Sequence, residues 1–273
     1  MDRFADTHGI RTYLALAVLC AGAARGQPSY SAADIVNASS YGAGPFAPGS
    51  VMTIFGAGLA ASPYAVQPSD LVQCGTVAGW CLPQELNYVR VFVQDQPVGM
   101  LYVSANQINF VMSTVQLPGP VTVRVVTEGL TGGNVTVTLV PAAPALFPQV
   151  PANGYLIATD ANNQLLTAAN PAHAGDTVVI YLTGLGMTSP NPVPGEKPTY
   201  AGQMVAANLA TLNVTLNGTA VDTTLIKYAG LTPGYAGLYQ INLYVPAGTG
   251  ADPELEVFAG TVGSQTGLKL PLQ

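Results

Sequence analysis

The sequence predicts an all-β protein made of two tandem immunoglobulin-like β-sandwich modules related by an internal repeat. Three observations predict it. Thirty glycines and twenty-two prolines punctuate the 273 residues too often for long helices. Between them Val, Thr, Tyr and Ile fill short runs, some alternating with period two, as in "VRVFVQ" (89–94) and "VTVRVV" (121–126). Finally, "PGSVMTIFGAGL" (48–59) aligns without a gap to "AGDTVVIYLTGL" (174–185), at an offset of 126 residues.

The repeat fixes the order of elements. Gly49 matches Gly175, Ile54 matches Ile180, Phe55 matches Tyr181, and Gly58-Leu59 matches Gly184-Leu185. Tyr102 matches Tyr228 at the same offset, and Gln107-Ile108-Asn109 matches Gln240-Ile241-Asn242 after the extra loop "LTPGYAG" (231–237). Strands are expected near Ile35 and over 50–55, 88–94, 97–103, 107–112, 120–127 and 134–140. The second copy places them over 154–159, 176–183, 210–217, 220–228, 238–245, 254–259 and 264–270. Asn217-Gly218 between two β-branched runs predicts a hairpin, and "QDQP" (94–97) occupies the same turn in the first copy. Seven strands per copy, about ten residues apart, are the pattern of an immunoglobulin-like sandwich. Module boundaries are set at 27–145 and 146–273, with the proline-rich "PAAPALFPQVP" (141–151) as a stiff junction.

Residues 1–26 read as a signal peptide. Arg3 and Arg11 supply the basic part, "LALAVLC" (14–20) a short apolar run, and small residues a cleavage point within 23–26. That run is about half of the roughly 20 apolar residues a membrane-spanning helix needs, so no transmembrane span is expected. Without Arg3, Arg11, Arg25, Asp2 and Asp6, the eight basic and fourteen acidic residues fall to five and twelve, a formal charge of −7. A surface this acidic excludes nucleic acid as a partner. Cys74 and Cys81 remain, and in an exported chain such a close pair reads as one loop-closing disulfide.

The residue patterns call for no catalysis and no cofactor. His173 lies in "PAHAGD", which reads as a turn whose Asp176 binds nearby backbone amides. Asp252, Glu254 and Glu256 are the nearest carboxylates to one another; they read as a charged strand edge, with a calcium site as the alternative. "DANNQ" (160–164) reads as a hairpin turn. Tyr200, Tyr235 and Trp80 are the candidate ligand contacts, since ring faces stack on sugars and hydroxyls bond them. Tyr235, in mid-loop, is expected to be exposed, while Trp80 has the alternative of capping the core. Tyr228 and Tyr239 are expected to plug the sandwich and bond backbone. Ile108 and Ile241 are expected in the core. Gln107, Asn109, Gln240 and Asn242, on the other strand face, are expected to bond backbone where strand pairing is incomplete.

Several of these stretches resemble a known family: "IVNASSY" (35–41), "APGSVMTIFGAGLA" (47–60), "YVSANQINFVM" (102–112), "APALF" (143–147), "NPAHAGDTVVIYLTGLG" (170–186) and "YAGLTPGYAGLYQINLYVP" (228–246). They look like the C-terminal domain described from secreted proteins of Solibacter and other Acidobacteria. The glycine-led openings also resemble the IPT/TIG subclass of immunoglobulin-like domains. The resemblance implies extracellular β-sandwich modules and brings no activity with it. It also implies a bacterial source, so Asn37, Asn134, Asn213 and Asn217, though in N-x-[ST] sequons, are read as strand and turn residues and not as glycan sites. The expectation is therefore a secreted, non-enzymatic interaction or adhesion protein whose partner is a protein or polysaccharide at the cell surface. The alternatives are a carbohydrate-binding module and a structural unit of envelope assembly.

Overall fold

The computed structural model describes residues 26–75, 79–150, 152–199, 205–206 and 209–273. The signal-peptide reading falls on 1–26, of which only residue 26 is described. Regular structure is almost entirely strand, joined by turns and three-residue 3-10 turns such as Ala32–Asp34 and Thr223–Leu225. Among the described residues no helix is long and apolar enough to cross a membrane.

The first module contains β1 (Ile35–Asn37), β2 (Val51–Phe55), β3 (Val72–Cys74), β4 (Gly79–Cys81), β5 (Val89–Val93), β6 (Gly99–Val103), β7 (Gln107–Val111), β8 (Gly119–Thr127) and β9 (Val135–Leu139). One sheet runs β1-β2-β7-β6, every pair antiparallel, with the two-residue strand Tyr64–Ala65 on its edge. The other places β8 between β5 and β9, with two-residue edge strands at Gln96–Pro97 and Leu130–Thr131, and the longer strands alone number four and three. Four strands against three, in this order, is the arrangement of an immunoglobulin constant-type sandwich. The alternation in the sequence explains the core. In β5 and β8 every second residue is buried, and Val89, Val91, Val93, Val121, Val123 and Val125 meet Ile54, Ile108 and Phe110 from the opposite sheet.

The second module repeats the plan with β10 (Ala145–Leu146), β11 (Ala158–Asp160), β12 (Thr177–Thr183), β13 (Glu196–Lys197), β14 (Leu212–Leu216), β15 (Ile226–Leu231), β16 (Tyr239–Tyr244) and β17 (Leu255–Ala259). Here β10 and β11 both flank β12, followed by β16 and β15, while β14 pairs with β17. Its core joins Ile180, Leu182 and Ile241 to Val214 and Val257. Ile108 and Ile241 are both fully buried, each contributing about 2 kcal/mol of apolar burial.

Several expected strands differ. The 154–159 strand is shortened to β11, preceded by single bridges at Tyr155 and Leu156, and the 97–103 strand begins only at Gly99 after a break at Val98. The 220–228 strand is split into Thr219–Ala220 and β15, because the Asp222 carboxylate accepts from Thr224 N (2.8 Å) and caps the 3-10 turn between them. The 264–270 strand is reduced to single bridges beside β17, such as Glu254 with Lys269. Gly267 interrupts it with φ +83° and turns its N–H to the Glu254 carboxylate (2.5 Å). The Asn217-Gly218 hairpin forms as expected, with φ of 49° and 75°, and Gln94-Asp95 makes the same turn at 49° and 62°.

Candidate functional site

The two modules meet along a seam that begins at the disulfide hairpin. Cys74 and Cys81 are bonded and close the antiparallel pair β3–β4. The second module then adds a strand to that pair: Glu196 lies opposite Cys81 and Lys197 opposite Trp80. Leu82 N donates to Gly195 O (2.9 Å) and continues the pairing. Side chains bridge the rest. Thr183 Oγ1 accepts from Val51 N and donates to Gly237 O, both at 2.9 Å. Asn191 Nδ2 donates to Thr114 O (2.8 Å), and Thr114 Oγ1 donates to Pro192 O (2.9 Å). The junction chain is packed just as closely. A Cβ on Gly184, whose φ is +84°, would lie 2.1 Å from Ala143 O. Only glycine fits there.

Above this seam opens a cleft of about 470 Å³. Val51, Leu71, Leu82 and Leu101 come from the first module, Ala236 and Leu238 from the second, and together they make it aliphatic. Val111 lies beneath, packed with Leu82 and Ala236. Gln67, Lys197 and Tyr235 are its polar lining residues. Tyr235 is 61% exposed, carried by the loop that the second module has in excess of the first. That loop is fixed by Gly234 N donating to Pro198 O (2.7 Å) and Thr232 N to Leu238 O (2.8 Å).

The amide pairs behave differently from expectation. Gln107 Nε2 donates to Asn109 Oδ1 (2.9 Å), and Gln240 Nε2 to Asn242 Oδ1 (2.8 Å). They bond each other and not the backbone, because β7 and β16 are paired on both sides and leave no main-chain group vacant. Two residues apart on one strand face, the amides are each other's nearest partners. Thr53 Oγ1 also donates to Asn109 Oδ1 (3.0 Å); its repeat counterpart, Val179, has no hydroxyl. The neighbours on this face are aromatic: Phe55 opposite Gln107 and Tyr102 opposite Asn109, then Tyr181 and Tyr228 at the equivalent places.

Trp80, directly opposite Lys197 in its strand pair, is not among the lining residues of the cleft. Trp80 is 47% exposed and does not cap the core. Tyr200 lies outside the described residues. Tyr239 is buried in the core and its Oη donates to Gly186 O (2.5 Å), as expected. Tyr228 Oη donates to Leu231 O (2.8 Å) as expected, but the ring is half-buried on the amide face opposite Asn242 and does not plug the sandwich. Burial pushes the Tyr239 phenol far above its usual range. Asp176 accepts from His173 N (2.8 Å), the predicted turn. Asp160 accepts from Asn162 N and Gln164 N, closing the "DANNQ" turn. Asp252 accepts from Tyr155 Oη (2.9 Å), and Glu254 from Gly267 N; among the described residues no cluster of three or more acids, His or Cys could hold a metal. Lys197, Gln67 and the aliphatic walls had no sequence signal of their own, since they come together only through the seam.

No family model matches the chain, and no curated protein is significantly similar to it. Among solved structures it is similar to a Bacteroides ovatus mixed-linkage glucan utilization protein, SGBP-B, in complex with a mixed-linkage heptasaccharide. The identity is 12% over 84% of this chain, with a TM-score of 0.32, and the chain spans 43% of that protein's length. It is also similar to domains 5-6 of the S-layer protein SbsC (12% identity, 90% of this chain and 98% of that one, TM-score 0.24). The third is the Yersinia pseudotuberculosis adhesin InvE (13% identity, 91% and 61%, TM-score 0.22). At such TM-scores these likenesses carry no argument, and the fold stands on its own strand order.

Proposed function

We propose that this is a secreted, non-catalytic interaction protein, and that the inter-module cleft is where it takes hold of its partner at the cell surface. The observation that carries this is the cleft itself: it is preformed, apolar and built by residues from both modules around an exposed tyrosine. A disulfide at the seam suits an oxidising compartment, and the N-terminal motif suits export. His173 sits in a turn held by Asp176, and Asp252 and Glu254 accept hydrogen bonds from Tyr155 Oη and Gly267 N, which supports binding in place of catalysis. Membership of the Solibacter-type secreted family, with IPT/TIG-like modules, is part of the same proposal and rests on the quoted motifs.

The test is a photo-crosslinker in place of Tyr235, exposed to envelope and culture-fluid fractions. A discrete product that disappears in Leu101→Trp, which fills the cleft, is expected. No product, or one indifferent to Leu101→Trp, contradicts the reading. So would turnover of a polymeric substrate that His173→Ala abolishes.

A polysaccharide partner has separate support on the first module. Tyr41, 61% exposed, stacks on Phe55 with ring centroids 6.2 Å apart, beside the Gln107–Asn109 amides. Polysaccharide retention lost in Tyr41→Ala but kept in Leu101→Trp would place binding there and not in the cleft.

A further inference from the structure

Among the described residues the cleft has one cationic lining residue and no acidic one: Lys197 stands among aliphatic side chains, with Gln67 and Tyr235 the other polar lining groups. Lys197 has no ion-pair or side-chain hydrogen-bond partner among the described residues. The acids closest to the lining in sequence are turned to other work. Asp70 Oδ2 accepts from Gln67 N (2.7 Å) and from the Tyr64 hydroxyl (3.2 Å). Glu196 alternates to the opposite strand face, where its carboxylate accepts from Val193 N (3.0 Å) and lies against Gly75. The cleft therefore offers an unneutralised positive charge beside a low-dielectric wall, where an ion pair is stronger than in water.

We propose that the cleft binds an anionic amphiphile. Its single aliphatic tail lies along Leu71, Leu82, Leu101 and Leu238, and its carboxylate, phosphate or sulfate head pairs with Lys197 Nζ. This names the ligand class of the site proposed above and rests on that reading. The volume, about 470 Å³, falls within the roughly 300–1,000 Å³ of small-molecule sites and suits one tail. A sugar would leave its hydroxyls facing leucines without partners, an uncompensated loss of hydration. A cationic tail would meet Lys197 with like charge.

Isothermal titration of the chain from residue 27 with dodecanoate, dodecyl phosphate, dodecyl maltoside and dodecyltrimethylammonium tests this, each below its micelle concentration. Dodecanoate and dodecyl phosphate are expected to bind one to one, and the neutral and cationic compounds about tenfold or more weaker. Lys197→Arg should keep that preference and Lys197→Glu should remove it. Leu101→Trp should abolish all binding; if that variant does not melt like the parent, Val66→Trp, at the same cleft, replaces it. Equal binding of all four compounds, blocked by Leu101→Trp, would overturn the proposed ligand class and leave the cleft as a binding site. Absence of one-to-one binding overturns the ligand class too, and the Tyr235 crosslink then decides separately whether the cleft binds anything. Co-sedimentation with phosphatidylglycerol vesicles distinguishes the sources: retention assigns a membrane lipid, and release with intact dodecanoate binding assigns a free amphiphile, either of which supports the proposal.

Discussion

Lys197, in the second module, lies opposite Trp80, in the first, within one antiparallel pair. That pairing makes the disulfide hairpin a shared sheet of both modules and brings the lysine to the wall of the cleft. Consequences for stability and binding both follow from it.

The disulfide should matter to the seam more than to either core. Cys74 and Cys81 are seven residues apart, and closing so short a loop contributes about 2–3 kcal/mol by the loop-entropy account. Replacing both by serine should lower stability by that amount in urea titrations and weaken ligand binding in the cleft. Unchanged binding after the double replacement would show that the hairpin does not support it.

Two glycines with similar backbones should respond differently to alanine. Gly184 has Ala143 O where its Cβ would go, so Gly184→Ala should cost about 2 kcal/mol or more. Gly218, at φ +75°, has open space around it, and Gly218→Ala should cost only the left-handed backbone penalty of about 1 kcal/mol. Equal losses in thermal melting would contradict the close packing at the junction.

The amide pairs should act on stability and not on affinity. Asn242→Ala removes the acceptor of Gln240 Nε2 and should cost about 1 kcal/mol. Asn109→Ala, which also loses the Thr53 bond, should cost somewhat more. Unchanged melting in either variant would sink this account of the repeated motif.

Acid should weaken two local caps. The Ser31 hydroxyl, then its N–H, holds the Asp34 carboxyl below its usual pKa, and the Thr224 N–H, then its hydroxyl, does the same for Asp222. A carboxyl lowered on folding contributes stability that is complete above its unfolded value, about 3.9, and is lost as pH falls through the lower folded value. The double variant Asp34→Asn, Asp222→Asn should therefore show a shallower loss of stability below pH about 4 than the parent. Identical acid profiles would contradict the caps.

Much of the fold is legible in the sequence because its determinants are local. Period-two alternation in "VRVFVQ" and the turn at Asn217-Gly218 specify strand and hairpin within a few residues, and the glycine-led repeat specifies that the plan is used twice. The misplaced strands have local causes that only geometry reveals: Asp222 capping a 3-10 turn, and Gly267 turning its amide to Glu254. The cleft is legible only in part. Tyr235 stands out as an aromatic in an inserted loop, but its companions Leu82 and Leu101 lie more than ninety residues from Lys197 and meet it through seam contacts that no periodicity encodes.

The central claim is that the modules form one fixed body with a preformed cleft between them. Spin labels at two exposed sites, Thr131→Cys in the first module and Thr219→Cys in the second, measure this directly by pulsed dipolar spectroscopy. One narrow distance distribution, unchanged by dodecanoate, is the predicted result; a broad distribution, as for modules swinging on a tether, would contradict it.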